Sequence, residues 1–288
     1  MHTSLGSPTD VALQYLVLQQ NNLQTSFEYS FLPRKPGDLL LGRLDTGRPL
    51  DRHEVMSELS DFYKRYMAWA KEEAESYKLQ EVEEPDELVI ITKARFSDCY
   101  YLTGQDRCSV IALGNWDSMM APPSLVECIL TLLVKIGVAA ACGEHRPRSH
   151  HETKGCLFDF TSSLSDARYK TLAGYMCASC SEVIRSVHSE QLALDSAALL
   201  SKEWLGNPKK PSHAASMAQK LGYPLFRTRG FTPSFKERIR GFFEEESAKA
   251  IVEILSAIVI AALLLWLGLK DEAPSQAVPV EGRSTPAA

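Results

Sequence analysis

Four metal-type donors, spread over thirty residues, constrain this chain more than any other feature. The stretch His150-His151-Glu152-Thr153-Lys154-Gly155-Cys156-Leu157-Phe158-Asp159-Phe160 is followed by Cys177-Ala178-Ser179-Cys180. Read as ligands, this is His-x4-Cys-x20-Cys-x2-Cys, with His151, Cys156, Cys177 and Cys180 as donors. Zn²⁺ favours tetrahedral thiolate and imidazole ligation, and a Cys-x2-Cys turn presents two thiolates to one ion. Four protein donors leave no open position for water, so the expected zinc is structural. The same residues admit a second reading, in which Cys156 sits in a buried strand and the Cys-x2-Cys is a reduced pair on a helix.

The run Ile251 to Leu269, IVEILSAIVIAALLLWLGL, carries one charge, Glu253, near its start. A helix needs about twenty mostly apolar residues to cross a hydrocarbon core, and this run meets that length. Trp266 and Lys270 suit the far interface, while Lys236, Arg238, Arg240 and Lys249 precede the run. The positive-inside bias therefore places the amino-terminal part in the cytoplasm. The expectation is a single-pass, tail-anchored membrane protein. The span contains Ala257-x3-Ala261, a spacing that permits close helix contact and homo-oligomerisation in the membrane.

The rest of the composition is that of a reduced, globular domain. With 36 acidic residues against 31 Lys and Arg, no basic stripe marks a nucleic-acid partner. Met1 to Pro8 lacks the basic and apolar regions of a secretory signal, so the seven cysteines are expected as thiols or metal ligands.

In chain order, residues 1–9 look like a loose end, and Val11–Gln19 and Leu23–Leu32 read as strands. Leu39-Leu40-Leu41 is a possible short strand. Arg52 to Lys78 predicts a long helix with the stripe Val55, Leu59, Phe62, Tyr63, Tyr66, Met67 and Trp69. Leu88–Thr92 and Cys108–Leu113 are buried-strand candidates, and Ala94–Tyr101 a turn with a short strand. Ser124 predicts the N-cap of an apolar helix that should be the buried centre of the domain. Ser181 to Trp204 has helical spacing, and Gly206 to Pro224 reads as a linker or as a segment folded over the domain. The expected organisation is an α/β domain over 1–184, helix and linker over 185–232, an amphipathic juxtamembrane segment over 233–250, the span over 251–269 and a disordered tail over 270–288.

Around the zinc stretch the sequence resembles the archaemetzincins, zinc peptidase-like proteins of the metzincin group. Their signature runs HExxHxxGxxH, then Cys-x4-Cys-x-Met, a spacer and Cys-x2-Cys. His150 falls on the third catalytic histidine, His151 on the first cysteine, Cys156 on the second, Phe158 on the methionine, and Cys177 and Cys180 on the final pair. The resemblance covers about residues 85–185. It implies a metzincin-like mixed sheet with a buried central helix, and a second, structural zinc on the cysteine half.

The catalytic half departs from the pattern. Counting back from His150 puts Ala140 and Glu144 on the two histidines, Ala141 on the base and Pro147 on the glycine. Taking Gly137 as the glycine puts Leu130 and Val134 on the ligand positions and Thr131 on the base. Neither register supplies two histidines one helical turn apart with a neighbouring glutamate, which zinc-dependent hydrolysis requires. The expectation is a pseudo-metallopeptidase with no catalytic residues, working as a membrane-tethered binding, scaffold or sensor module for a protein or peptide partner. Two rivals remain: a metallohydrolase rebuilt around His145 or His150, and a membrane effector whose span is controlled by the cytosolic domain.

Overall fold

The computed structural model describes residues 1–221 except 6, 47, 79–82, 115, 117–122, 152–154 and 162–163. The chain divides into two units, Met1–Thr232 and Pro233–Ala288, and every described residue lies in the first. The expected juxtamembrane segment, span and tail lie outside the described residues.

The domain is mixed α/β. Strands β1 (His2–Ser4), β3 (Leu88–Thr92), β6 (Cys108–Ala112) and β5 (Leu102–Gln105) form a four-stranded sheet in the order β1-β3-β6-β5. The first three are parallel, and β5 returns antiparallel on β6. A smaller parallel pair joins β2 (Pro49–Leu50) to β4 (Arg95–Phe96). Residues 2–4, read as part of a loose end, are thus an edge strand.

β3 is buried along its whole length because helices cover both faces of the sheet. Its side chains alternate between two cores. Leu88 and Ile90 join Cys108 and Val110 beneath α2 (Leu39–Leu44) and α3 (Arg52–Ser76), while Val89 and Ile91 join Ile111 beneath α1 (Ser7–Leu23) and α4 (Leu125–Cys142). The α3 stripe is the one expected, with Trp69 only partly buried.

Two amino-terminal expectations are overturned. The run around Val11–Gln19 is helix α1, and its buried residues Ala12, Leu13, Leu16, Val17 and Gln20 recur at helical spacing. The stretch after it forms no strand, because side chains satisfy its backbone. Asp195 Oδ2 accepts from Thr25 N at 3.0 Å and Ser26 Oγ at 2.6 Å. Gln24 Oε1 accepts from Ser26 N and Phe27 N, and the Asn21 amide brackets Tyr29 N and O. Leu39-Leu40-Leu41 is likewise helical, since Asp38 caps α2 by accepting from Leu40 N and Leu41 N.

α4 is the buried centre of the domain. Ser124 and Glu127 close a reciprocal capping box at its start. The helical stretch Leu125–His145 is long and apolar enough to cross a membrane, but it is 67% buried within the domain and serves as its core. Its Ile129, Leu130 and Leu133 pack on the sheet, while Val134, Val138 and Cys142 pass into a third core around Cys156, Leu157 and Phe158.

The folded unit does not close at residue 184. Helices α5 (Leu164–Ala173), α6 (Ala178–Val187), α7 (Glu190–Ser201) and α8 (Ala214–Leu221) complete it. Leu192, Ala193, Leu199 and Leu200 of α7 enter the third core, and Ala215 and Ala218 of α8 enter the core shared by α1. Part of the expected linker is therefore packed helix.

Candidate metal centre

The loop 150–160 closes on itself. Phe160 N donates to His150 O at 2.7 Å, and His150 N donates to Phe158 O at 3.4 Å. Asp159 organises the inside of this loop. Its Oδ2 accepts from Gly155 N at 2.8 Å and Cys156 N at 3.1 Å, and its Oδ1 lies 2.8 Å from His150 Nδ1. Gly155 is required on two counts: its φ is +105°, and a Cβ there would lie 3.0 Å from that of Ala173.

The second half of the centre comes from the start of α6. Leu157 N donates to Tyr175 O at 2.9 Å, which lays residue 156 beside the entry to that helix. Cys177 is the N-cap, its sulfur accepting from Cys180 N at 3.5 Å, and its own N–H donates to Cys156 Sγ at 3.3 Å. Amides aimed at sulfur, together with the positive end of a helix, favour thiolate over thiol.

The structure brings together His150, Cys156, Cys177 and Cys180, with all four ligand atoms within 4.8 Å of one another. His150 Nε2 is 3.2 Å from Cys180 Sγ and 3.5 Å from Cys177 Sγ, and Cys156 Sγ is 3.9 Å from Cys180 Sγ. A tetrahedron with Zn–S near 2.3 Å and Zn–N near 2.0 Å has edges of roughly 3.5–3.8 Å. The donor set therefore fits a metal ion such as zinc. Among the described residues it is the one such group of three or more His, Cys, Asp or Glu.

The histidine is His150, one residue before the one that the Cys-x4-Cys spacing selects. His151 is exposed, its ring 5.1 Å from that of Phe160. Successive side chains of extended backbone point to opposite sides, so once residue 150 pairs with 158 and 160 and faces inward, His151 faces out. The pattern becomes His-x5-Cys-x20-Cys-x2-Cys. The spacing also missed Asp159. A carboxylate three residues after a cysteine ligand, beside a histidine ligand, is the available signal for a group that orients the imidazole.

The three thiols differ. Burial pushes Cys156 and Cys180 above the ordinary thiol value. Burial acts the same way on Cys177, but hydrogen bonds from the Cys180 amide and from the Cys180 and Cys156 side chains outweigh it and hold that thiol low. Cys177 is thus the first to present a thiolate, and a metal must displace protons from the other two.

The remaining candidates stay apart from this chemistry. Cys108, Cys128 and Cys142 are buried, and Cys99 is partly exposed. Burial raises Cys108 and takes Cys128 to about 12, so neither is a thiolate near neutral pH. Glu144 and His145 stand together on a groove of about 440 Å³ that also offers Arg146 and Arg148 and has His150 and Cys180 in its wall. No protein-family model, curated protein or solved structure matches this chain.

Proposed function

We propose that this chain is a membrane-tethered, archaemetzincin-like pseudoenzyme. Its cytosolic domain is clamped by one structural zinc and binds a protein or peptide partner. The observation that carries the reading is the convergence of four protein donors, with the imidazole oriented by Asp159. Such a set fills a tetrahedral ion completely, so the ion joins the 150–160 loop to α6 and has no position for a hydrolytic water.

The apolar run 251–269 and the preceding Lys and Arg support tethering with the domain on the cytoplasmic side. Ala257-x3-Ala261 supports self-association of that span. The groove beside the cluster, with Arg146 and Arg148 on its wall, supports a peptide partner. A rebuilt hydrolase is the weaker reading, because His150 is turned toward the three sulfurs and Glu144 and His145 have no third donor beside them among the described residues.

Elemental analysis of the full-length chain in detergent tests this reading. One zinc per chain is expected, lost in Cys180→Ser together with a lower unfolding temperature. Two metals per chain, one surviving that substitution, would revive the hydrolase reading and call for an assay on peptide substrates. A metal-free wild type would defeat the structural-zinc reading.

A further inference from the structure

Beside the metal centre, and separate from it, α4 and α5 enclose a cavity of about 10 Å³, room for one occupant the size of a water molecule or slightly larger. Its wall includes Tyr101, Thr131, Lys135, Lys170 and Thr171. Thr131 is 2% exposed, and its hydroxyl has no hydrogen-bonding partner among the described residues. Lys135 makes no hydrogen bond to any described residue. Lys170 is 6% exposed and donates to the backbone oxygen of Asp159. The Tyr101 hydroxyl lies 3.4 Å from Thr161 Oγ1.

The lining therefore offers a surplus of donors and two positive charges. Among the described residues, the Asp159 carboxylate is engaged by His150 and two amides, and Cys156 Sγ by Cys180 and the Cys177 amide. Two cations sharing a desolvated space repel each other, and burial costs each its hydration. An anion removes both penalties and gives the Thr131 hydroxyl an acceptor. A neutral water removes only the second of these deficits.

We propose that the cavity between α4 and α5 is a binding site for a monoatomic anion of the halide class, held by the ammonium groups of Lys135 and Lys170 and the hydroxyl of Thr131. Burial, then the Arg146 charge, lower the proton affinity of Lys135, and burial, then the Lys135 charge, lower that of Lys170, in the direction that an anion would reverse. The site does not depend on the metal reading, since none of its three donors is a metal ligand.

The test follows thermal unfolding of the full-length chain in detergent, with sodium bromide or chloride titrated against sodium gluconate at constant ionic strength. Gluconate is too large to enter. The expected result is a saturable rise of ~3 °C in halide, absent in Lys135→Met and in Lys170→Met. In gluconate both variants should unfold at or above the wild-type midpoint, because each removes one of two neighbouring like charges. Thr131→Val keeps both cations and should weaken the halide response about tenfold in concentration, which keeps the test open if a lysine variant fails to fold. Bromide anomalous scattering should place one peak in the cavity. Equal midpoints in all salts, a halide response that persists in the double lysine variant, or the absence of the peak would overturn the proposal. So would loss of zinc in Lys135→Met without any halide response in the wild type, which would assign the lysines to the metal centre.

Discussion

Asp159 Oδ1 sits 2.8 Å from Nδ1 of His150, and that contact decides which ring nitrogen is turned toward the sulfurs. A ring that donates from Nδ1 keeps its lone pair on Nε2, the atom that lies 3.2 Å from Cys180 Sγ. The other carboxylate oxygen binds the amides that lead into Cys156. One side chain thus sets two of the four donors.

The choice between neighbouring histidines is directly measurable. His150→Ala removes a donor and should lower zinc affinity at least about 100-fold, read by competition with a chromophoric chelator. His151→Ala should leave affinity within about threefold, since its ring packs on Phe160 at the surface. The opposite ranking would restore the Cys-x4-Cys spacing as the guide.

Asp159→Asn keeps the shape and removes the charge. It should cost about 10- to 100-fold in zinc affinity, the range for groups that orient a metal-bound imidazole. Asn also offers one acceptor oxygen where the carboxylate uses two, so either His150 or the Gly155 and Cys156 amides lose a partner. A drop in metal-free stability of about 1–3 kcal/mol should accompany the affinity loss.

Zinc affinity should rise with pH. Cys156 and Cys180 are held above the ordinary thiol value and are protonated near neutrality, so binding there releases their protons. The logarithm of the binding constant should climb by about 2 to 3 per pH unit near neutrality, two protons coming from Cys156 and Cys180 and the remainder from Cys177, whose thiol is held lower. Calorimetry in buffers of different ionisation enthalpy counts the protons. A slope near zero would mean that the thiols are free of this coupling.

Local chemistry made part of this protein legible in advance. The Ser124 cap, the α3 stripe and the runs Leu88–Thr92 and Cys108–Leu113 declare themselves because each is bounded by its own caps or composition. The three cysteines were found by spacing alone. What failed depended on contacts distant in sequence. Whether residues 24–32 form a strand is settled by Asp195, about 170 residues away, which takes up amides that a ladder would otherwise use. The β-rich look of VALQYLVLQ carries no more information than its helical spacing until the packing partners are known. The choice of His150 over His151 turns on the pairing of residue 150 with 158 and 160, which no motif spacing encodes.

Lys170 supplies a second pH signature, of the opposite origin. Burial, then the neighbouring Lys135, lower it from 10.5 to about 8. Between those values the unfolded chain binds more protons than the folded one, so this lysine makes stability rise with pH through that window. A displacement of that size corresponds to roughly 3 kcal/mol of destabilisation below pH 8. In gluconate, Lys170→Met should accordingly be more stable than wild type at pH 7, and the gap should close toward pH 10. Denaturant melts of both chains at each pH isolate this group from the thiols, which titrate in both.

The carboxy-terminal limit of the domain yields the last prediction. A chain ending at residue 184 would lose α7 and α8, and with them Leu192, Leu199 and Leu200, each contributing about 1.5–3 kcal/mol by burial. It would also lose Asp195, leaving Thr25 N and Ser26 Oγ without their acceptor. Losses of this kind are comparable with the whole marginal stability of a domain, so the 1–184 fragment should show no cooperative melt. A chain ending at residue 232 keeps every described contact. It should melt cooperatively and stay in the supernatant after alkaline extraction of membranes, whereas the full-length chain stays in the pellet. Cooperative folding of 1–184 would return the boundary to the zinc stretch. Release of the full-length chain into the supernatant would remove the tether and, with it, the placement of this domain at a membrane.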